Sequence, residues 1–317
     1  MTVRGTARSS RKRHRPIARD VVFLFGAGLL AALLFGHTWV PDALGSGVVL
    51  DSAAPWLGVG VPVLVLGALA CRSRIGVAAA VIPLLVWAAV FGSWWAGGNP
   101  APPGSPHLTL VTQNLYAGNA TPDAAARALG STAADLVALQ EFSAGNREDV
   151  VDALSDSHPY RVTEGTVALW SRYPLSDTTV ADVGAGWHRG LRTHVAMPAG
   201  DIVVYVVHLP SIRVGDTAIR DRGLRTLSRQ LTSDTAERIV VAGDFNTAET
   251  DRHWRNFAPG YTDVRTGGGP GFTWPAAFPV ARPDHVLTRG FDRTTAHVLR
   301  TPGADHRGIA VDLARTE

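Results

Sequence analysis

The stretch Ile239-Val-Val-Ala-Gly-Asp-Phe-Asn246 decides the fold of the C-terminal part of the chain. Its first four residues are apolar and three are β-branched, which is typical of a buried strand, and the glycine that follows begins a turn. Side chains that carry out chemistry on open α/β sheets gather where the strands end. Asp244 and Asn246 are therefore candidate site residues, although this turn alone could equally hold an Asp bonded to its own backbone.

The same arrangement, an apolar run followed by polar residues, recurs on both sides of this stretch. The pattern predicts further strands at Leu108–Val111, Leu136–Leu139, Val167–Trp170, Ile202–Val207 and Asp284–Leu287. It predicts helices at Ala124–Leu129, Glu148–Leu154 and Ala218–Leu231, with turn residues between the elements. Polar motifs accompany the runs: Thr-Gln-Asn114, Leu-Gln-Glu141, Val-Val-His208, Arg-Pro-Asp284 and Asp305-His306. This alternation predicts an α/β fold with a polar site at the strand ends.

Taken in this order, the motifs resemble those of the endonuclease/exonuclease/phosphatase superfamily, from about His107 to Asp312. The resemblance implies two packed β-sheets flanked by helices, a four-layer α/β/β/α sandwich. It also implies an enzyme that cleaves phosphoester or pyrophosphate bonds with Mg²⁺ or Mn²⁺.

The resemblance implies a metal site made of oxygen ligands. Glu141 would be the principal metal carboxylate, Asn114 would lie beside it, and Asp305 would complete the acidic site. Magnesium favours oxygen ligands and keeps several waters, so one or two carboxylates and a substrate phosphate suffice.

The remaining motif positions would act on the phosphoryl group. By resemblance, His306 would be the general base or contact the phosphate, with Asp284 orienting it. Asp244 and Asn246 would position the attacking water and the phosphoryl group, and His208 would stabilise charge on the phosphoryl oxygens. The sequence leaves open whether Asp244 or His306 is the base.

Three further residues are candidates for substrate binding. His188 and Arg189, in Gly-Trp-His-Arg-Gly, could reach a phosphate or could belong to a solvated loop. Trp274 lies in the Pro- and aromatic-rich stretch 268–283, which either faces the substrate or the membrane or packs its own rings into the core.

The N-terminal part of the chain predicts a membrane anchor. Residues 20–96 contain three apolar stretches near the length that crosses a bilayer, at about 21–40, 56–71 and 75–95. Arg and Lys cluster in the tail 1–19 and at 72–74, whereas the loop 41–55 has none. The positive-inside rule then predicts a multi-pass membrane protein with a cytoplasmic N-terminus. A Gly/Pro linker at 97–106 would lead to an extracellular catalytic domain, residues 107–317.

Charge and cysteine content limit the classes of function. Residues 107–317 contain 21 Lys plus Arg against 24 Asp plus Glu, so this part has no net basic charge with which to hold nucleic acid. The one cysteine, Cys71, excludes a disulfide within the chain and a zinc site made of several thiolates.

Location and architecture suggest a substrate of the cell envelope. The order of basic tail, three spans, linker and catalytic domain resembles actinobacterial membrane proteins of the teicoplanin-resistance (VanJ) type. That resemblance implies a lipid-linked phosphate or pyrophosphate as substrate, such as undecaprenyl pyrophosphate or a wall precursor, with membrane lipids as neighbours. Two alternatives stay open: a membrane-tethered extracellular nuclease or phosphodiesterase, which the charge balance disfavours, and an inactive binding module. No protein partner is inferred.

Overall fold

The computed structural model describes residues 15–96, 100, 107–212 and 216–314. Residues 1–14 of the predicted tail, and the predicted linker apart from Pro100, lie outside the described residues. The chain forms two compact units. The first contains the chain up to Trp39 together with Ala53–Gly92, and the second contains Val40–Ser52 together with Ser93–Glu317.

The first unit is helical and apolar. Its helices are α1 (Arg15–Gly36), α3 (Gly60–Ala70), α4 (Arg74–Ala79) and α5 (Val81–Phe91), and a short helix α2 (Ser46–Ala53) precedes α3 in the chain. Three helical stretches are long and apolar enough to cross a membrane: Ile17–Trp39, Ser46–Ala70 and Arg74–Trp95. Large apolar side chains such as Phe25 are exposed on these helices, as hydrocarbon-facing residues are in a bilayer.

The described part of the second unit contains the strands and, besides most of α2, three further α-helices. The strands are β1 (His107–Asn114), β2 (Leu136–Gln140), β3 (Tyr160–Glu164), β4 (Val167–Ser171), β5 (Leu175–Val180), β6 (Gly190–Val195), β7 (Ile202–His208), β8 (Ile239–Asp244), β9 (Thr262–Asp263), β10 (Asp284–Arg289), β11 (Arg293–Leu299) and β12 (Gly308–Ala314). The helices are α6 (Pro122–Gly130), α7 (Arg147–Leu154) and α8 (Ala218–Ser233).

The described strands form two six-stranded sheets. Their orders are β11-β12-β1-β2-β4-β3 and β5-β6-β7-β8-β10-β9. β1 runs parallel to β2 and β7 parallel to β8, and the other pairs are antiparallel. One apolar core joins the facing sides of both sheets, a second packs α6 and α7 on the first sheet, and a third packs α8 on the second sheet. The predicted four-layer α/β/β/α sandwich is confirmed.

A buried ion-pair network next to β10 stabilises the second sheet. Arg282 donates to Asp263 Oδ1, and its second terminal nitrogen lies 3.4 Å from Glu249 Oε2. Asp263 Oδ2 also lies 3.0 Å from Nδ1 of the fully buried His285. Burial would raise the pKa of Asp263, but the charge of Arg282 and then that of His285 outweigh it and hold the pKa at about 2. The carboxylate is therefore charged over the whole neutral range.

Asp263→Asn should destabilise the protein at pH 7 by about 3 kcal/mol, because it removes the nearer of the two carboxylates that pair with the buried Arg282. A carboxyl with a lowered pKa contributes its stability above the pKa of the unfolded state, near 4, and loses it as the pH falls towards 2. The difference in melting temperature between wild type and variant should therefore shrink from pH 4 to pH 2. The exposed control Asp156→Asn should melt like wild type, and a pH-independent difference would contradict the assignment.

Candidate functional site

A cavity of about 390 Å³ lies where strands of the two sheets end. Its polar lining residues include Glu141, His208, Asp244, Asn246, Asp305 and His306. Its apolar lining residues are Ile212, Ala248, Trp274, Ala281 and Pro283, and Ser52 also contributes. Six of the predicted catalytic and metal-binding residues thus line one cavity, and Asn114 and Asp284 contact members of that set.

Local backbone geometry places the side chains of the Gly-Asp-Phe-Asn motif. A Cβ at Gly243 would lie 1.9 Å from the carbonyl oxygen of Val207 on β7, so only glycine allows β8 to approach this closely. Asn246 has φ +48°, a left-handed conformation that Asn tolerates better than most residues. Its backbone N–H donates to Asp244 Oδ1 at 2.7 Å, and its side chain donates to Leu209 O at 2.9 Å.

Glu141 also has a left-handed backbone, with φ +56° directly after β2. Asn146 Nδ2 donates to the Glu141 carbonyl at 2.9 Å, and Ala117 N–H donates to Oε2 at 2.7 Å. A strained conformation of this kind persists where the surroundings hold it, and it often occurs at functional sites. The strain here turns the carboxylate off the end of the strand and into the cavity.

The residues that the sequence predicts as metal ligands fit a hard cation. Asn114 Nδ2 donates to Glu141 Oε1 at 3.2 Å and to Asp244 Oδ2 at 3.0 Å, which joins the two sheets. Asp305 Oδ1 is buried and has no hydrogen-bond partner among the described residues. Burial, and to a smaller extent the charge of Glu141, raises the pKa of Asp305 against the opposing effect of His306. A buried, unpartnered carboxylate oxygen beside a second carboxylate suits a divalent cation that takes oxygen ligands.

A second acidic group adjoins the first. Ligand atoms of Asp244, Asp284 and His306 all lie within 4.8 Å of one another and could hold an ion. The antiparallel register of β8 and β10 places Asp284 directly opposite Asp244. Asp284 Oδ2 accepts from His306 Nδ1 at 2.9 Å and from Thr273 Oγ1 at 2.6 Å. These two bonds fix the imidazole and leave its Nε2 facing Asp244 Oδ2 at 3.9 Å.

The charges of this group set its protonation. Burial alone would lower the pKa of His306, but Asp284, then Asp244 and Asp305, outweigh it and raise the pKa to about 10. Burial raises the pKa of Asp244 to about 7, the charge of Asp284 adds to the effect, and that of His306 opposes it. At neutral pH His306 is therefore an imidazolium, and the raised pKa of Asp244 suits a group that accepts a proton during a reaction.

His208 also lies near Asp244 and is neutral. Its Nε2 accepts from Arg189 at 2.5 Å and lies 3.7 Å from Asp244 Oδ2. Burial lowers its pKa well below 6.5, and the charges of Arg189 and His306 add to the effect. The proton of a neutral ring whose Nε2 accepts is on Nδ1, and this buried atom has no partner among the described residues. Arg189 in turn lies over the ring of Trp187, 4.9 Å from its centroid.

The three candidate substrate-binding residues occupy different surroundings. His188 is exposed and its Nδ1 lies 2.5 Å from Glu164 Oε1, away from the residues that line the cavity. Arg189 contacts His208, and Trp274 lines the cavity with 43% of its surface exposed. His285, which follows Asp284, is a buried structural residue of the ion-pair network described above.

Sequence reasoning gave no role to several residues at the site, among them Thr273 and Ser52. Thr273 fixes Asp284, and only its position next to Trp274 and shortly before β10 could have indicated this. Ser52 lines the cavity although it is almost 90 positions from Glu141 in the chain, and no local pattern pointed to it.

Comparison with known proteins supports the resemblance. The sequence profile of the Endonuclease/Exonuclease/phosphatase family matches residues 111–306. A search of curated proteins gave no significant match.

Solved structures share the fold at low sequence identity. D. rerio TDP2, complexed with a single strand DNA product, matches with a TM-score of 0.55 and 16% identity, covering 65% of this chain and 98% of its own. Beta toxin 275-280 from Staphylococcus aureus matches with a TM-score of 0.54 and 15% identity, covering 64% and 99%. A family protein from Bacteroides thetaiotaomicron matches with a TM-score of 0.54 and 14% identity, covering 67% and 99%. The profile spans more than half of the chain, and the chain therefore belongs to the endonuclease/exonuclease/phosphatase family.

Proposed function

We propose that this protein is a membrane-anchored, divalent-metal-dependent hydrolase that cleaves a lipid-linked phosphate or pyrophosphate outside the cytoplasm. Members of its family hydrolyse phosphoester bonds, so the substrate carries a phosphate. The observation that supports the finer proposal is the composition of the cavity. The cavity is lined both by acidic and imidazole groups and by apolar residues that include Ile212, Trp274 and Pro283, which suits a phosphate with an apolar neighbour.

In this proposal the protonation states divide the work between Asp244 and His306. Asp244, with a pKa of about 7, accepts the proton of the attacking water, and Asn246 holds its other oxygen in place. The His306 imidazolium, fixed by Asp284, donates from its Nε2 to a phosphoryl oxygen, and neutral His208 accepts from Arg189 and so positions that cation near Asp244. A Mg²⁺ or Mn²⁺ ion held by Glu141, Asp305 and Asn114 would supply Lewis-acid stabilisation of the phosphoryl charge.

The proposed location of the site outside the cytoplasm rests on the three apolar helices and on the charges that flank them. A site near the outer surface of a membrane has access to lipid carriers of envelope synthesis and little access to cytoplasmic nucleotides or chromosomal DNA. The lack of net basic charge in residues 107–317 also disfavours nucleic acid.

The test is phosphate release by the full-length protein in detergent with Mg²⁺ or Mn²⁺, comparing undecaprenyl pyrophosphate with single-stranded DNA. We expect release from the lipid, loss of release with EDTA, and loss in Glu141→Ala but not in the exposed control Glu148→Ala. Cleavage of DNA alone would replace the proposal with a tethered nuclease, and inactivity on both, with the metal bound, would favour a binding module.

Topology provides an independent prediction. A reporter that is active only outside the cytoplasm should be active when fused after Trp95 and inactive when fused after Ser73, because positively charged segments are retained in the cytoplasm. The same two fusions to a reporter that works only in the cytoplasm are the control and should give the opposite result. Activity of the first reporter after Ser73 alone would remove the argument for an envelope substrate.

A further inference from the structure

The chain between the first two apolar helices belongs to the same compact unit as the active site. Val40–Ser52 lies in the second unit, whereas its sequence neighbours Trp39 and Ala53 lie in the first. Asp42 Oδ1 accepts from Gly47 N–H at 2.9 Å and from Val48 N–H at 3.3 Å, so it caps the start of α2. The segment is thus a folded part of the catalytic unit.

One arginine holds both ends of this segment. Arg252 donates to Asp51 through its backbone N–H at 3.0 Å, its Nε at 2.7 Å and a terminal nitrogen at 3.2 Å. Its other terminal nitrogen donates to the Val40 carbonyl at 2.8 Å. The segment has no side chain at Gly47, where a Cβ would lie 2.3 Å from the guanidinium. We call this set of contacts the Arg252 clamp.

The geometry of the clamp is that of a specific site. Asp51 is 0% exposed, and a buried carboxylate is tolerated only where charged donors satisfy it. The planar guanidinium bonds both oxygens of Asp51, which constrains orientation as well as distance.

Hydrogen bonds connect the Arg252 clamp to the candidate catalytic residues. Arg252 closes a short loop that begins at Asp244, and its neighbour Asp251 accepts from the fully buried Arg220 at 2.7 Å. Arg220 donates from the same nitrogen to Thr247 Oγ1 at 3.1 Å. Thr247 directly follows Asn246, whose N–H holds Asp244. Ser52, next to Asp51, lines the cavity.

We infer that Val40–Ser52 is a working part of the active site, in which Asp51 and Arg252 are positioning residues that hold the loop 245–253 and, through it, Asp244 and Asn246. The inference rests on the proposed hydrolytic site but not on the proposed lipid substrate. A segment that only connects two apolar helices would leave the loop unchanged when the clamp is removed.

The test uses the full-length protein in detergent and two variants that open the clamp in different ways. Asp51→Asn removes the negative charge of the clamp. Gly47→Ala displaces the Arg252 guanidinium by steric contact but keeps the charges of both Arg252 and Asp51. Gly28→Ala is the matched control, since a Cβ there meets nothing within 4 Å. Amide hydrogen exchange reports on the peptide 245–253, and Mn²⁺-dependent hydrolysis of bis(p-nitrophenyl) phosphate reports on the site.

Both clamp variants should exchange about tenfold faster in 245–253, a change of about 1.4 kcal/mol, while the peptide 136–140 in β2 keeps its wild-type rate. Hydrolysis should fall about tenfold in kcat with KM nearly unchanged. Unchanged exchange in 245–253 would overturn the inference, and so would faster exchange with wild-type kcat. If the wild-type protein does not hydrolyse this probe, the proposed function is in question, whereas the exchange rates still decide whether the clamp holds the loop.

Discussion

His306→Ala should lower kcat for phosphoester hydrolysis about a thousandfold, the scale expected for a charged donor that acts on a developing phosphoryl charge. His306 is the one cation among the cavity-lining residues that the structure describes, and Asp284, Asp244 and Asp305 keep it protonated by raising its pKa to about 10. Its loss also removes the charge that opposes the high pKa of Asp244. The measurement is steady-state hydrolysis on the substrate identified in the phosphate-release assay.

Two variants make this result interpretable. His297→Ala changes an exposed histidine of β11 and should keep the wild-type rate. Asp284→Asn keeps the His306 imidazole but removes the negative charge of its hydrogen-bond partner. We therefore expect a smaller decrease in kcat, on the order of a hundredfold. Near-wild-type turnover in His306→Ala, with the protein still folded by its melting curve, would show that the site assignment is wrong.

Glu141→Ala should abolish metal-dependent hydrolysis and weaken Mn²⁺ binding by at least about tenfold, because it removes one of two carboxylates that suit a divalent cation. Mn²⁺ binding can be followed by electron paramagnetic resonance on protein treated with EDTA, so the readout does not depend on knowing the substrate. Asp305→Asn keeps the shape of the side chain but leaves Glu141 as the one negative charge of the Glu141–Asp305 pair, so it should weaken Mn²⁺ binding as well.

Glu148→Ala on α7 is the matched control for metal binding, since this glutamate is exposed and lies outside the cavity. If Glu141→Ala bound Mn²⁺ as tightly as wild type, the ion would have to lie elsewhere. The group of Asp244, Asp284 and His306 would then be the better candidate.

The sequence predicted the core strands because they are apolar on both faces. β2, β4, β7 and β8 are buried along their whole length, so each appears as a continuous apolar run. β3, β5 and β11 lie at or near sheet edges and carry exposed polar residues, such as Asp177, which remove the apolar run. Buried β12 was missed because Gly308 and Asp312 interrupt its pattern.

The sequence predicted residues that the structure brings together at one cavity, but it did not predict their protonation states. Motif order identified Asn114, Glu141 and His306, since each follows or precedes a strand end. The division of protons between Asp244 and His306 depends on burial and on the register that puts Asp284 opposite Asp244, neither of which is visible in local sequence. The contribution of Ser52 depends on tertiary contacts of a segment that, in sequence, is only a loop between apolar helices.

The second compact unit, which contains the candidate site, includes two separate segments of the apolar N-terminal region. Besides Val40–Ser52, it includes Trp94, whose ring packs edge to face on Phe272 at 6.0 Å and whose carbonyl accepts from Gly269 N–H at 3.1 Å. An anchor attached only through a linker could be exchanged for another by recombination without cost to the enzyme. Here replacement of the apolar N-terminal region would remove Ser52 from the lining of the cavity and Trp94 from its contact with Phe272. The two parts of this chain are therefore expected to be inherited together, and substitutions in one should be matched by substitutions in the other.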